Sequence, residues 1–346
     1  MNNPSISVVL SVLNGEKYLP EAIESVLKQS FTDFEFIIVN DGSTDKTADI
    51  LKEITDPRVK IITNEQNLGI SNSRNIAQNH SMGKYIVVID ADDISVSTRF
   101  EEQFTFMEQN PDIDICGSYY DYIDEGTVIT RYVSDEEIKI ALLEGCAIKH
   151  GSSIYRKSSF VKNNLYYNAD FIAAQDYELL SRGSSFLKYH NIPKVLYHYR
   201  KHDDQISSAR KKLMADETDR IKKIEIDKII IERSEEENDY HNRICRKDFS
   251  QIGSKYVQYI DWLNKLENTN AKKKVYNEEL FSEFIKRLKS ITNKAFSDNE
   301  FILTSDYNWR KLYRFFTLEI NPYKYYNLTT RFAISLKCLF YIRRTN

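Results

Sequence analysis

The feature that most constrains the fold is a regular alternation of strand-like and helical segments across the first 200 residues. Runs rich in β-branched and aromatic residues occupy Ser5–Leu13, Phe34–Val39, Val59–Ile62 and Tyr85–Ile89, and the segments between them carry apolar residues at helical spacing. Strands that alternate with helices form a mostly parallel sheet covered on both faces. The sequence therefore predicts an α/β protein.

Polar side chains follow three of these strands at the point where each strand ends. Asn14 and Glu16 follow the first strand, Asp41 follows the second, and Asp90-Ala-Asp-Asp93 follows the strand at 85–89. Ligands of open parallel sheets bind beyond the carboxyl ends of the strands. We therefore expect all three clusters to face one cleft.

Each cluster also has an ordinary structural explanation. Asp41-Gly42 is typical of a plain turn, and Asp92 or Asp93 could cap a helix predicted near Ser97–Gln109. The coincidence of three clusters at one edge of the sheet favours a ligand site over these explanations.

The carboxylates of Asp90, Asp92 and Asp93 are close enough in sequence to repel one another, and a divalent cation relieves such repulsion. Mg²⁺ and Mn²⁺ favour one or two carboxylates, with substrate phosphate oxygens completing the shell. The chain contains no Gly-x-Gly and no Gly-Lys-Ser/Thr, which excludes a dinucleotide fingerprint and a phosphate-binding P-loop. A metal-bridged diphosphate is the predicted ligand.

Taken together and in order, these motifs resemble the family-2 glycosyltransferases of the GT-A fold. The resemblance covers about 1–210 and is carried by Ser7–Asn14, Glu24–Gln29, Phe36–Asp45, Asn67–Asn75, Asp90–Asp93, Gln175–Leu179, Leu196–His202 and Ser207. More weakly, the Tyr-Arg-x-His element and a tail ending at Leu318 resemble bacterial β-1,3-N-acetylglucosaminyltransferases that extend lipooligosaccharide. The implied fold is a Rossmann-like GT-A domain with a C-terminal helical subdomain.

The resemblance implies a UDP-sugar donor, such as UDP-GlcNAc, UDP-Gal or UDP-Glc. Asp41 would hydrogen-bond the uracil, with Arg74 near the base, and Asp90 would hold the ribose. Asp92 would bind the metal, Mn²⁺ or Mg²⁺. With the strand-end residues included, the predicted donor-binding set is Ser11, Leu13, Asn14, Glu16, Asp41, Arg74, Asp90, Ala91, Asp92 and His202.

The resemblance also implies the chemistry of the acceptor, a hydroxyl of a growing bacterial surface glycan or glycolipid. Asp176 would be the general base that deprotonates this hydroxyl, so that an α-linked donor gives a β-linked product. Its ordinary alternative is a helix N-cap, because Tyr177-Glu-Leu-Leu180 follows. His150 and Asp93 are predicted acceptor contacts, and His202 belongs to a loop resembling the one that closes over the diphosphate.

Two positions depart from the family pattern. Leu13 occupies a site that often carries an aromatic residue stacking on the base, and Gln175 replaces the Glu that commonly precedes the catalytic Asp. Loss of that neighbouring negative charge should lower the pKa of Asp176 relative to an acidic pair. His198 and His202, four residues apart, could also be metal ligands, although a structural histidine is the commoner case.

The net charge of −3 conceals a strong asymmetry. Residues 1–200 hold 19 Lys and Arg against 29 Asp and Glu, whereas 201–346 hold 29 against 22. Nucleic acid is excluded as a partner of the acidic part, because phosphate neutralisation needs clustered cations. The basic, aromatic segment 307–346 predicts either peripheral contact with an anionic membrane or a packed helical subdomain.

We place the domain boundary near 210, with a catalytic domain over 1–210 and a helical region over 211–346. The N-terminus lacks a secretory signal pattern, no apolar run reaches about 18 residues, and the four cysteines form no Cys-x-x-Cys pair. We expect a cytoplasmic protein, peripheral to the membrane if 307–346 binds lipid.

Three other functional classes fit the sequence less well. A nucleotide-sugar-forming nucleotidyltransferase would need a glycine-rich loop after the first strand, which Ser11–Gly15 is not. A non-catalytic sugar-nucleotide-binding protein would not need the Asp90-x-Asp92 pair and Asp176. A glycosidase also uses paired carboxylates but needs no nucleotide pocket.

Overall fold

The computed structural model describes residues 3–123, 125–202, 205, 210–301 and 334. Nearly all of the predicted membrane-contacting segment 307–346, and Ser207, therefore lie outside the described residues. The chain divides into two compact units between Glu225 and Ile226, beyond the boundary that the sequence predicts near 210. Across the described ranges, no helix is both long and apolar enough to cross a membrane.

The described part of the first unit contains one nine-stranded sheet. Its strands are β1 Ile6–Val12, β2 Phe34–Asn40, β3 Val59–Thr63, β4 Tyr85–Val88, β5 Ile94–Ser95, β6 Ile115–Tyr122, β7 Val128–Ile129, β8 Ile154–Arg156 and β9 Tyr189–Tyr199. The order is β3-β2-β1-β4-β8-β6-β9-β5, with β7 paired to β6. The strands β3, β2, β1 and β4 are mutually parallel, as predicted, and put their carboxyl ends at one edge.

Beyond β4 the sheet is mixed, which the sequence patterns did not resolve. β8 runs antiparallel to β4 and β6, whereas β9 is parallel to β6. The pairing passes from Ser118↔Ile192 to Tyr119↔Val195 and so skips Pro193 and Lys194. Proline has no N–H to contribute to the ladder, so the strand continues past it as a bulge.

Helices cover both faces of this sheet because successive strand residues point to opposite sides. The helices of this unit are α1 Leu19–Leu27, α2 Thr47–Lys52, α3 Ile70–His80, α4 Arg99–Gln109, α5 Asp135–Ala141, α6 Lys157–Lys162, α7 Gln175–Gly183 and α8 Lys211–Asp227, the last crossing into the second unit. On one face Val8 and Leu10 pack with Phe100, and on the other Val9 packs with Ala77.

The described part of the second unit consists of helices, in agreement with the prediction. They are α9 Glu235–Arg246, α10 Ile252–Lys273 and α11 Glu278–Phe301. Trp262 and Leu263 of α10 and Ile285 and Leu288 of α11 are buried. The apolar residues that recur at helical spacing in the sequence are thus the ones that the helices bury.

Candidate active site

The acidic loop, Asp90–Asp93, follows β4 at the carboxyl edge of the sheet, and its three carboxylates have different surroundings. Asp90 Oδ1 accepts a hydrogen bond from Arg74 Nη2 at 2.7 Å. Asp93 is fully buried and accepts from the Tyr197 hydroxyl at 2.6 Å. Asp92 is the most accessible of the three, with 26% of its side chain exposed. A ligand can therefore approach this loop at Asp92.

Residues just beyond β9 hold the acidic loop from the other side. The backbone N–H of Arg200 donates to Asp93 Oδ1 at 2.8 Å, and Arg200 Nε donates to the Asp92 carbonyl at 3.0 Å. His202 Nε2 lies 2.9 Å from Asp92 Oδ2, and its ring packs on Tyr18 with centroids 4.8 Å apart. The structure thus brings His202, predicted from the sequence, directly to the predicted metal ligand.

Arg74, on α3, connects the acidic loop to the helix that carries Asp176. Besides its ion pair with Asp90, its Nη1 donates at 2.9 Å to Gln175 Oε1, in the amide orientation that also lets Gln175 Nε2 donate to the Ile172 carbonyl. The glutamine that departs from the family pattern is therefore a neutral partner of Arg74. Asp90 and Asp176 consequently share one cationic neighbour.

Asp176 lies one residue inside the first turn of α7 and does not cap the helix, so the N-cap alternative is wrong. Its Oδ1 accepts from the Tyr177 N–H at 2.8 Å, while Cys146 Sγ lies 3.8 Å from Oδ2. Glu217 of α8 instead holds the turn that precedes the helix. This buried carboxylate accepts the N–H groups of Ile172, Ala173 and Ala174 at 2.9, 2.8 and 2.8 Å.

Burial and charge set the protonation of these carboxyl groups. Burial raises the pKa of Asp176 above its ordinary value, and Arg74 only partly offsets this. For Asp90 burial also acts upward, but Arg74, His150 and Lys149 together outweigh it and hold the pKa of that carboxyl below its ordinary value. Burial, helped by Asp92 and Asp90, raises the pKa of Asp93 well above the usual range. The cluster thus holds an ionised Asp90 beside carboxyl groups that retain protons more readily.

The predicted residues after the first two strands accept hydrogen bonds from neighbouring loops. Asp41 accepts from Asn64 Nδ2 and Leu68 N at 2.8 Å and from Gly69 N at 2.9 Å. Asn14 Oδ1 accepts from Thr44 N at 2.8 Å, and Glu16 Oε2 accepts from Lys46 N at 3.0 Å. These side chains therefore shape the rim of the cleft, and a ligand of Asp41 would have to share its carboxylate.

The remaining predicted positions differ in exposure. Leu13 is 45% exposed and Ser11 partly buried, so both can be reached from solvent at the end of β1. Ala91 is partly buried against the core. His150 is buried, with Nε2 2.8 Å from the Tyr167 hydroxyl and Nδ1 lacking a partner among the described residues. A ligand entering beside Tyr167 could supply that partner.

Two alternative interpretations of these motifs, a helix cap for Asp92 or Asp93 and a shared metal for His198 and His202, are wrong. Neither Asp92 nor Asp93 caps the following helix, which begins at Arg99 after Thr98. His198 and His202 do not converge on one metal position, because His198 Nδ1 contacts Asp121 while His202 contacts Asp92. Each histidine orients a carboxylate on its own side of the strand end.

The site fits a divalent cation held together with a ligand rather than by the protein alone. Among the described residues, no three His, Cys, Asp or Glu side chains are grouped to hold a metal. Both hydrogen bonds that Asp92 receives from described side chains fall on Oδ2, which leaves Oδ1 for a cation. One carboxylate oxygen plus phosphate oxygens is the donor set that Mg²⁺ and Mn²⁺ favour.

The sequence patterns missed two residues of this site. Lys149 precedes His150, and although burial lowers the pKa of its ammonium group, Asp93 and Asp90 raise the net value, so this lysine stays charged. Glu217 lies in a helical segment with no local signal for this contact, 43 residues from Ala174. Only the tertiary packing of α8 on α7 reveals its role.

A mostly parallel sheet with the strand order given above, an acidic loop at its carboxyl edge and the Asp176 carboxylate nearby is the architecture of a GT-A glycosyltransferase. The family model for glycosyl transferase family 2 matches residues 7–182. The chain belongs to that family.

Relatives with the same domain occur among bacteria. An uncharacterized glycosyltransferase of Haemophilus influenzae is 36% identical over 222 residues, which are 60% of this chain and 69% of that protein. The Escherichia coli protein WfaP, a UDP-Glc:α-D-GlcNAc-diphosphoundecaprenol β-1,3-glucosyltransferase, is 32% identical over 64% of this chain and 87% of its own. The structure of S. aureus TarS 1–349 in complex with UDP-GlcNAc superposes with a TM-score of 0.58 at 18% identity, covering 85% of this chain and 91% of that one, and supports the GT-A fold.

Proposed function

We propose that the protein is an inverting, metal-dependent transferase that moves a sugar from a UDP-sugar to a hydroxyl of a growing bacterial surface glycan, forming a β-linkage. The observation that carries this proposal is the connected cluster in which Arg74 contacts both Asp90 of the acidic loop and Gln175 beside Asp176. It joins a candidate diphosphate site to a candidate base within a family-2 glycosyltransferase.

The donor is proposed to be a UDP-sugar, since WfaP is named for UDP-Glc and TarS binds UDP-GlcNAc. Uracil would lie on the edge formed by Ser11 and Leu13, near Asp41, and the ribose against Asp90. UDP-Glc and UDP-GlcNAc are the first donors to test, because they distinguish transfer of a hexose from transfer of an N-acetylhexosamine.

Mn²⁺ or Mg²⁺ would be held by Asp92 and would supply Lewis-acid neutralisation of the leaving diphosphate. The protein's own contribution is to hold Asp92 in place. His202 and Gln205 contact one oxygen of its carboxylate at 2.9 and 3.2 Å, and Arg200 binds its carbonyl. Fixed in this way, the side chain loses little conformational freedom on binding.

Asp176 is proposed as the base that accepts the proton of the attacking hydroxyl. Its burial raises its pKa toward the working range of a general base, whereas Arg74 keeps it from rising further. A single base on the side of the sugar opposite the diphosphate gives in-line displacement, and hence inversion at the transferred carbon.

The acceptor is proposed to be a glycan or glycolipid, by analogy with the lipid-linked acceptor in the name of WfaP. The protein would act in the cytoplasm, at the inner face of the cytoplasmic membrane if 307–346 contacts anionic lipid. His150 remains the proposed acceptor-side contact, whereas Asp93, fully buried with both oxygens hydrogen-bonded, would support the acidic loop instead of touching the acceptor.

UDP release from a panel of UDP-sugars with Mn²⁺ tests this proposal. Asp176→Asn should reduce release with acceptor by about 10²–10⁴-fold while UDP binding is retained. Asp112→Asn, at an exposed surface ion pair with Lys188, is the matched control and should behave like the unmodified protein. Absence of release with every donor, despite UDP binding, would favour a non-catalytic sugar-nucleotide-binding protein. Pyrophosphate formation from UTP and a sugar phosphate would favour a nucleotidyltransferase.

A further inference from the structure

Three tyrosines form a contiguous cluster beside the acidic loop. Tyr120 and Tyr122 lie on β6, and Tyr199 of β9 is opposite Tyr122 in register. Their ring centroids are 5.8 to 6.0 Å apart, and Tyr120 is buried whereas Tyr122 and Tyr199 are partly exposed. Tyr197, opposite Tyr120, donates its hydroxyl to Asp93 at 2.6 Å. This cluster, called the tyrosine floor and defined as Tyr120, Tyr122 and Tyr199, therefore adjoins the candidate diphosphate site.

Each ring of the tyrosine floor carries one cation. The Lys149 ammonium lies 3.4 Å from the centroid of Tyr199, and the Lys201 ammonium lies 3.4 Å from that of Tyr122. Arg131 lies 5.2 Å from the centroid of Tyr120, and its Nη2 donates to the Tyr120 hydroxyl at 2.8 Å. Cations on aromatic faces are positioned without being neutralised.

Two of these cations lack a carboxylate counter-ion in the described part of the chain. Lys201 pairs with Glu125 at 3.0 Å, but no described carboxylate lies within ion-pair distance of Arg131 or Lys149. Arg131 Nε is in addition buried with no hydrogen-bond partner among the described residues. A buried donor left unpaired costs free energy, and a bound acceptor group would recover it.

The two unpaired cations lie on the side of Asp176 where Cys146 is found. Cys146 Sγ is 3.8 Å from Asp176 Oδ2. Cys146 Sγ also donates to the Ile148 carbonyl at 3.1 Å, next to Lys149. The neighbouring rings of Tyr199 and Tyr120, 6.0 Å apart, hold Lys149 and Arg131, and both charges oppose the rise that burial and Asp176 cause in the pKa of the Cys146 thiol. An acceptor whose hydroxyl reaches Asp176 can therefore also reach Arg131 and Lys149.

We propose that Arg131 and Lys149 bind a phosphate group carried by the acceptor, while Tyr122 and Tyr199, the partly exposed members of the tyrosine floor, pack against the adjoining sugar. The proposal rests on the function proposed above, because it places the acceptor hydroxyl at Asp176. The guanidinium of Arg131 presents a planar fork of donors that suits phosphate, and Lys149 adds a point charge. Tyrosine offers an apolar face for a sugar ring and a hydroxyl for a polar contact.

The phosphate of the donor is the competing source, and the experiment separates the two. The full chain is held at saturating UDP and Mn²⁺ and titrated calorimetrically with octyl α-GlcNAc diphosphate or with neutral octyl α-GlcNAc. The variants are Arg131→Gln, Arg131→Lys and, as a matched control, Lys188→Gln, which removes an exposed charge paired with Asp112. UDP affinity is measured separately for each variant, and thermal melting checks that each is folded.

The unmodified protein should bind the diphosphate probe about tenfold more tightly than the neutral probe. Arg131→Gln should remove most of that preference, Arg131→Lys should keep part of it, and Lys188→Gln should keep all of it. The proposal is overturned if the unmodified protein shows no preference for the diphosphate, or if Arg131→Gln leaves the preference unchanged.

Weaker UDP binding in Arg131→Gln, with unchanged binding of the diphosphate probe, would assign the arginine to the donor and also overturn the proposal. Failure of the proposed function has a different signature. In that case UDP does not bind the unmodified protein, yet the diphosphate probe binds in a manner that depends on Arg131, and the phosphate site stands alone.

Discussion

Removing the Glu217 carboxylate should loosen the start of the helix that carries Asp176. Ala174, the residue before that helix, has no side chain to cap it, and Glu217 accepts three N–H groups from Ile172, Ala173 and Ala174. A buried donor left without an acceptor costs about 1–3 kcal/mol. Because water can enter the space that alanine leaves, we expect Glu217→Ala to lower the free energy of local unfolding by about 2–4 kcal/mol in total.

Hydrogen exchange read by mass spectrometry on peptides covering 170–180 measures this directly, since the three affected amides lie there. Glu217→Gln keeps one acceptor oxygen and should lose about half as much protection. Asp216→Ala, which changes the exposed neighbour on the same helix, should leave exchange unaltered. Transfer rate should fall in Glu217→Ala through kcat more than through KM, because the base is displaced while donor contacts persist. Unchanged amide exchange in Glu217→Ala would refute this role of Glu217 in holding the turn.

Four further predictions concern protonation, metal and packing. Because the folded pKa of Asp176 is raised, the contribution of this group to stability is present below the ordinary value of 3.8 and is lost as pH rises through the folded value. Asp176→Asn should therefore melt at a higher temperature than the unmodified protein at pH 8 but not at pH 3.5. Equal melting temperatures at both pH values would contradict this. The same raised pKa predicts that transfer by the unmodified protein increases with pH on the acidic limb, a limb that a rate profile of UDP release would reveal. Asp92→Asn should raise the Mn²⁺ concentration needed for half-maximal UDP release by about tenfold or more, whereas an unchanged requirement would place the metal elsewhere. A Cβ at Gly151 would lie 1.9 Å from the Tyr197 hydroxyl, so Gly151→Ala should cost about 1–3 kcal/mol of stability in urea denaturation, while Gly145→Ala, which meets nothing within 4 Å, is its control and should cost far less.

Much of the first half of the fold follows from local pattern. Each of β1, β2, β3 and β4 lies within about one residue of its predicted run. β1, β2 and β4 are buried parallel strands, which need a short, continuous apolar segment, whereas β3 is an edge strand whose residues are partly or fully exposed. β9 extends from Tyr189 past Pro193, although proline ordinarily ends a strand, because its pairing with β6 resumes beyond a bulge.

The family resemblance located Asp90, Asp92, Asp176 and His202, and the structure brings these four to one edge of the sheet. The structure adds that the oxygens of Asp41, Asn14 and Glu16 accept hydrogen bonds from the neighbouring loops. The N–H groups that donate these hydrogen bonds come close to the carboxylate and amide oxygens only when the chain folds. No spacing in the sequence therefore predicts these hydrogen bonds.

By itself the sequence determined that strands and helices alternate, that acidic residues end the strands, and that the described part of the C-terminal region is helical. These properties depend on spacing along the chain, over at most a few turns of helix. The tertiary structure alone decided that Arg74 joins Asp90 to the Asp176 helix, that Glu217 holds the turn before that helix, and that Arg131 and Lys149 share the tyrosine floor. Hydrogen bonds and charges act over a few ångströms in space, whatever the separation in sequence, and burial decides how strongly they act.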